Sequence, residues 1–289
     1  MAAALGGTII NADSLQVYRD LRILSARPDA AALARAPHRL YGYRDAAERG
    51  SVGDWRALAL AEITLAHRAG SLPIVVGGTG LYLRALQYGL AAIPPIPAAI
   101  RSEAAELYRA LGGTAFRERL RALDPVSARL PSGDRQRLMR AFEVVHATGR
   151  PLAEWQAQTG AAAPYRFATL LLLPPRATLY ALCEARFRAM MSAGALAEAA
   201  ALAARGLDPM LPAMKGVGVP ELLRHLRGEI TLDAAIVLAT RATRRYAKRQ
   251  MTWFRHQMDP DLLLNEQFSE SLLRCSRHFI DEFLLTARA

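Results

Sequence analysis

Short β-branched runs alternate with long helical repeats along this chain. Gly6 and Gly7 turn into Thr8-Ile9-Ile10-Asn11, which predicts a buried strand over 8–12. Residues 14–50 are rich in turn formers, and Pro37 and Gly42 interrupt any long helix there. The stretch from Ser51 to Gly70 opens on capping residues and closes on glycine, as a helix of about four turns does. Next, "LPIVVGGTGLYLRAL" reads as strand, glycine turn and helix. Strand–helix–strand order favours a parallel sheet with right-handed crossovers.

The pattern changes at the prolines 94, 95 and 97, after which helices are expected over 98–111, 114–122, 134–147 and 151–158. Asp134 stands where an N-cap belongs and Gly149 where a C-cap belongs. "YRFATLLLLPP" returns to a buried strand, and helices follow from 176 to 205 and from Leu232 to about Phe254, around a loop at "MKGVGVPEL". The tail, 258–289, has mixed helical periodicity and no motif. The expected organisation is an α/β core from 1–94 and 165–289, with C-terminal helices, and an inserted all-helical domain at 95–164.

Charge adds a functional hint to this outline. The chain carries 37 Lys+Arg against 26 Asp+Glu, and only Lys215 and Lys248 are lysines. The excess is placed unevenly, with nine basic against three acidic residues from Lys215 to His256, and ten against six from Arg101 to Arg150. Such clustering suits a polyanion, although a basic helix face can equally be plain solvated surface. No stretch runs 18 apolar residues without a charge, so no membrane span is expected. "MAAAL" lacks the features of a signal peptide, and Cys183 and Cys275 match no metal or redox spacing; a cytoplasmic protein with two buried or partly buried thiols is expected.

Four stretches could carry chemistry. In "IVVGGTGLYL" the glycines 77, 78 and 80 around Thr79 either let backbone N–H groups approach an anion or only allow close packing. The turn lacks the Lys-Ser/Thr of a Walker loop and the third glycine of a dinucleotide fingerprint. In "INADSLQVY" a carboxylate, Asp13, ends a strand where α/β folds place their sites; it could hold Mg²⁺, act as a base, or merely cap the next turn. In "GDRQRLMRAFEVV" Arg137, Arg140 and Glu143 share a helix face, with Leu138, Phe142 and Val145 on the apolar one. In "RATRRYAKRQMTWFRHQ" five basic residues, Arg241, Arg244, Arg245, Lys248 and Arg249, interleave with Tyr246, Trp253 and Phe254. That suits phosphate contact with base stacking, while Trp253 could as well be a core anchor.

Together these stretches resemble the tRNA dimethylallyltransferase family. "INADSLQVY" is similar to its I-x-x-D-S-x-Q-x-Y segment, "VVGGTGLYLRAL" to its glycine turn, "DRQRLMRAFEV" to its Q-R-x-x-R-A-x-E helix, and "TRRYAKRQMTWFR" to its R-x-x-A-K-R-Q-x-T-W signature. The resemblance runs in unbroken order from residue 5 to about 256. It implies a P-loop, nucleoside-kinase-like parallel-sheet core with a helical insertion. It also implies transfer of a dimethylallyl group from dimethylallyl diphosphate to the exocyclic amine of an adenine. That adenine is at position 37, in the anticodon loop of tRNAs reading codons that begin with U. By the same resemblance Asp13 is the catalytic base. Asp13, Ser14, Leu15 and Gln16, then Thr79 and Arg101, then Gln136, Arg137, Leu138, Met139 and Arg140 contact tRNA, and Arg244, Lys248 and Arg249 hold its backbone. Mg²⁺ is the implied cofactor and a monomer the implied state.

The resemblance departs at the front. The family has a first strand and a G-P-T-A-S-G-K-[ST] loop about 25 residues ahead of the aspartate, and neither stands in this sequence. The expectation is that the chain as written binds the diphosphate poorly, with only Gly78, Thr79 and Gly80 to offer it. A catalytically inactive tRNA-binding relative is the alternative. A nucleoside-kinase relative is a weaker one, against which the arginine helix and "AKRQMTWFR" both argue.

Overall fold

The computed structural model describes residues 1–158 and 160–286. In chain order its elements are α1 (Ala2–Leu5), β1 (Gly7–Asn11), α2 (Ala30–Arg35), β2 (His38–Arg39), α3 (Val52–Arg68), β3 (Leu72–Val76) and α4 (Gly80–Tyr88). Then come α5 (Ala98–Arg121), α6 (Arg135–Thr148) and α7 (Leu152–Gln156), followed by β4 (Leu170–Leu172), α8 (Arg176–Ser192), α9 (Ala195–Ala204), α10 (Val219–Leu226), α11 (Leu232–Gln257), β5 (Leu262–Leu264) and α12 (Glu270–Thr286). Two compact units result: residues 1–87 with 164–289, and residues 88–163.

The first unit holds a parallel sheet of order β2-β1-β3, with Ile9 opposite His38 on one side and Ile74 on the other. A separate parallel pair joins β4 to β5. The second strand of that pair falls in the tail that showed only helical periodicity. Three consecutive leucines with no alternation give no sign of their partner in a distant segment. Residues 287–289 of the tail lie outside the described residues.

Helix α3 begins where its polar pattern says it should. Ser51 accepts the Asp54 N–H, Asp54 reaches back to the Ser51 N–H, and Gly70 (φ +68°) follows the helix end. Its apolar face and that of α4 pack on β1 through Ile10, Trp55, Ile63, Tyr82 and Leu86. Trp55 stacks on Tyr82 at 4.4 Å and donates its indole N–H to the carbonyl of Asn11 at 2.8 Å. This pins the carboxyl end of β1. A second core joins the loop after β1, through Val17, Tyr18 and Leu21, to α8–α11. The helices expected from 176 to 205 are α8 and α9, and Gly194 (φ +103°) turns the chain between them.

In the second unit α5 is broken at Gly112 (φ +69°), which separates the two helices expected there. Asp134 caps α6 by accepting the Arg137 N–H, and Gly149 ends it in the left-handed region. Phe116, Leu120, Leu138 and Phe142 form its core. The unit starts at Tyr88, ahead of the expected boundary at 95, since α4 ends there and Gly89 (φ +81°) redirects the chain. Among the described residues no helix is long and apolar enough to cross a membrane.

Candidate functional site

Asp13 lies two residues beyond β1. Its backbone N–H donates to Asn11 Oδ1 at 2.9 Å, and its own Oδ1 accepts the N–H groups of Leu15 (2.8 Å) and Gln16 (3.2 Å). One carboxylate oxygen therefore caps the turn, as the plain reading of an isolated Asp anticipates. The carboxylate is also half-buried on the wall of a cavity of about 300 Å³. Leu15, Gln16 and Gly78 line the same cavity, so three of the four residues from Asp13 to Gln16 meet there with the glycine turn.

The glycine turn is stitched to that loop. Thr79 donates its N–H to the carbonyl of Ala12 at 3.1 Å, its hydroxyl accepts the Ser14 N–H at 2.9 Å, and it donates to Ser14 Oγ at 3.2 Å. From the other side comes α11, where Gln250 donates to the carbonyl of Gly78 at 2.8 Å. A Cβ at Gly77 would fall on the Ala12 backbone, one at Gly78 on the Gln250 amide, and one at Gly80 on the Trp253 ring. Close packing thus demands these glycines, and with the Thr79 N–H engaged, only part of the turn is left to meet an anion. Trp253 is a packing anchor, half-buried against Gly80 and edge-on to Phe254.

One further part of the cavity wall comes from α8, which carried no signal in the sequence beyond ordinary amphipathic spacing. Leu179, Cys183 and Phe187 supply apolar surface and Arg186 a charge. Cys183 is buried as expected, but Cys275 is exposed on α12, because that helix buries only Leu272 and Ser276. Tyr246 of α11 completes the wall, and its phenol is pushed up first by burial and then by the Asp13 charge. The same causes push Tyr41 up to about 12. Asp13 thus stands among phenols that keep their protons.

Of the expected backbone-holding cations, Lys248 and Arg249 are exposed, with Arg249 over the Tyr246 ring at 5.7 Å. Arg244 is engaged by Glu184 at 2.6 Å and lies over Tyr180. In the helical unit Gln136 and Arg137 are exposed, Arg137 lies 3.4 Å from Asp134, and Arg140 lies 3.7 Å from Glu143. Met139 packs against the core and takes the Arg135 guanidinium on its sulfur. Leu138 is 0% exposed, since it belongs to the apolar face of α6, so within the expected contact segment its side chain packs in the core. Arg101 stands exposed in the first turn of α5, and its charge together with that of Arg140 offsets the burial that raises the Glu143 carboxyl. Among the described residues no three His, Cys, Asp or Glu side chains converge to hold a metal ion.

A carboxylate beyond the end of a parallel strand, braced by a glycine turn and facing a cavity, gives an α/β protein a candidate site in the crevice outside the strand ends. The chain belongs to the IPP transferase family, whose description matches residues 16–257. The tRNA dimethylallyltransferase of Rhodospirillum centenum is 59% identical over 261 residues, which cover 89% of this chain and 83% of that protein. That of Rhodospirillum rubrum is 53% identical over 293 residues, covering 99% and 90%. Among solved structures, a full-length tRNA isopentenylpyrophosphate transferase from Bacillus halodurans aligns with TM-score 0.70 at 30% identity, covering 99% of this chain and 91% of its own. A eukaryotic dimethylallyltransferase acting on tRNA aligns with TM-score 0.73 at 25% identity, over 88% of this chain and 64% of its own.

Proposed function

We propose that this chain, a cytoplasmic monomer, transfers a dimethylallyl group from dimethylallyl diphosphate to the N6 amine of adenine 37 in tRNAs reading codons that begin with U. The observation that carries this reading is the division of labour at Asp13. Oδ1 is held by two backbone N–H groups, while the carboxylate faces a cavity lined by apolar side chains such as Leu179 and Phe187 and by polar ones such as Arg186 and Tyr246. The N6 nitrogen attacks the allylic carbon as its bond to the diphosphate oxygen breaks. The bonding pair leaves with the diphosphate, and the N6 proton passes to Asp13 Oδ2. A carboxylate suits that step because the amine becomes acidic only as it attacks. Leu179 and Phe187 give the prenyl chain an apolar wall, and Arg186 is the cation on the cavity nearest in kind to what a departing diphosphate needs.

Mg²⁺ fits here as an ion that arrives with the diphosphate. Ser14 and Thr79 would supply hydroxyls and the donor its phosphate oxygens, which leaves Asp13 Oδ2 free for the proton. When bound, it would neutralise charge on the leaving group. The target base must leave the stack to reach Asp13, which an anticodon loop permits at low cost. Gln136, Arg137 and Arg140 of α6, with Arg101, and the exposed Lys248 and Arg249 of α11 are the proposed RNA contacts.

Single-turnover transfer of labelled dimethylallyl to an anticodon stem-loop tests the reading. Slow transfer by the wild-type chain, which offers the diphosphate only Gly78, Thr79 and Gly80 of the glycine turn, and a further loss of at least ~10²-fold in Asp13→Asn are expected. An unchanged rate in Asp13→Asn removes Asp13 as the base, and RNA binding without any transfer leaves a tRNA-binding relative in place of an enzyme.

A further inference from the structure

A second cleft, of about 340 Å³, lies beside the Asp13 loop and shares no lining residue with the first cavity. Its walls are the turn carrying Arg22 and Arg27 and the segment carrying His38, Tyr41 and Gly42. No carboxylate lines it. Neither arginine has an ion-pair partner among the described residues. Glu198 directs its carboxylate oxygens to the backbone N–H groups of Arg22, Ile23 and Leu24, each at 2.8 Å, and forms no ion pair with either arginine. Burial first and the Arg22 charge second pull the Arg27 guanidinium below its ordinary range, and the Glu198 charge offsets this only in part.

The backbone around this cleft is shaped against its preference. Ala26 (φ 54°) and Leu40 (φ 62°) are the non-glycine residues in the left-handed region among those described, and one stands in each wall. Both walls are tied to the Asp13 turn. Gln16 donates to the carbonyls of Ser25 and Ala26, each at 3.0 Å, and Asn11 donates to the carbonyls of Asp13 and Leu40, each at 3.0 Å. The side-chain amides of Asn11 and Gln16 therefore fix a strained basic cleft at a set distance from the base. Arg27 donates to the carbonyl of Tyr18 at 3.3 Å through one terminal nitrogen, which leaves the other edge of its fork for an oxyanion.

We propose that this cleft is a subsite for a backbone phosphate of the RNA strand whose base reaches Asp13, held by Arg22, Arg27 and the Tyr41 hydroxyl. The proposal rests on the RNA-modifying reading given above. The same oxyanion chemistry could come from the donor's diphosphate, but that group travels with Mg²⁺, and this cleft offers a cation no carboxylate. A strand, in contrast, can place a base in one pocket and a neighbouring phosphate in the next.

The test is the salt dependence of binding of a fluorescent anticodon stem-loop RNA to the whole chain. Arg22→Gln removes an exposed side chain and is safe for folding; Arg27→Lys keeps the charge and loses the fork. In Arg22→Gln/Arg27→Gln, affinity at 0.1 M salt is expected to fall about tenfold, and the slope of log K against log salt by about 0.7 for each phosphate that is no longer neutralised. A scan of single methylphosphonates through the loop should find one position that weakens the wild type and leaves the double variant indifferent. An unchanged slope, or a scan that never separates the two proteins, overturns the proposal. So does a variant that loses only its affinity for inorganic diphosphate, which would assign the cleft to the donor. If the wild-type chain binds no RNA, the functional reading fails and this subsite with it; wild-type binding with indifferent variants sinks the subsite alone.

Discussion

Asp13 Oδ1 accepts two backbone N–H groups, and an asparagine oxygen can do the same. Capping and the proposed proton transfer can therefore be separated at one position. Asp13→Asn is expected to keep the thermal midpoint of the wild type, whereas Asp13→Ala loses the cap and should cost about 1 kcal/mol, by analogy with helix N-caps. Matched denaturation curves for the two variants check this, and equal losses would show that the turn needs the charge. Tyr41 makes a pH prediction. Its folded phenol is raised to about 12, by burial first and by Asp13 second, against an ordinary value near 10. The raised group stabilises the fold fully below pH ~10 and loses that contribution as pH climbs through 12, because the unfolded phenol releases its proton first. Thermal midpoints measured from pH 9 to 12 should fall less steeply in Tyr41→Phe than in the wild type.

At the scale of elements, the turn between β3 and α4 shows what a local pattern can and cannot reveal. Strand, glycines and helix were legible because "IVVGGTGLYL" changes period at the glycines. What the glycines meet was not, because Ala12, Gln250 and Trp253 come from the loop after β1 and from α11. The neighbours rank the substitutions. Gly77→Ala drives a methyl into the Ala12 backbone, which cannot yield, and should cost about 3 kcal/mol, the upper end for overpacking. Gly80→Ala meets a half-buried indole and should cost less. Gly78→Ala meets only the end of a flexible amide and should cost least, about 1 kcal/mol. Chemical denaturation of the three variants tests the order, and a Gly78→Ala as damaging as Gly77→Ala would mean the Gln250 amide is rigidly required. The α8 wall stayed hidden for a similar reason: Cys183, Arg186 and Phe187 show helical spacing, and nothing local says that a cavity lies opposite.

For the whole molecule, charge placement was readable from composition, and burial then sorts the charges. The net formal charge is +11, but many arginines are already committed, such as Arg205 to Asp20 and Asp45, and Arg227 to Glu229 at 2.6 Å. On α11 Arg244 is committed to Glu184, while Arg241, Arg245, Lys248 and Arg249 stand exposed. Only uncommitted cations can release counterions from RNA without first breaking an ion pair, so the helix and not the total charge should set the salt response. Removing Lys248 and Arg249 together, as Lys248→Gln/Arg249→Gln, is expected to lower the slope of log K against log salt for stem-loop RNA by roughly 1.4, at about 0.7 per phosphate. Arg227→Gln changes the net charge but disturbs a committed pair, and it should leave the slope where it was. If Arg227→Gln lowers the slope as much per charge as the α11 variant does, binding follows overall charge and the exposed face of α11 is not a contact surface.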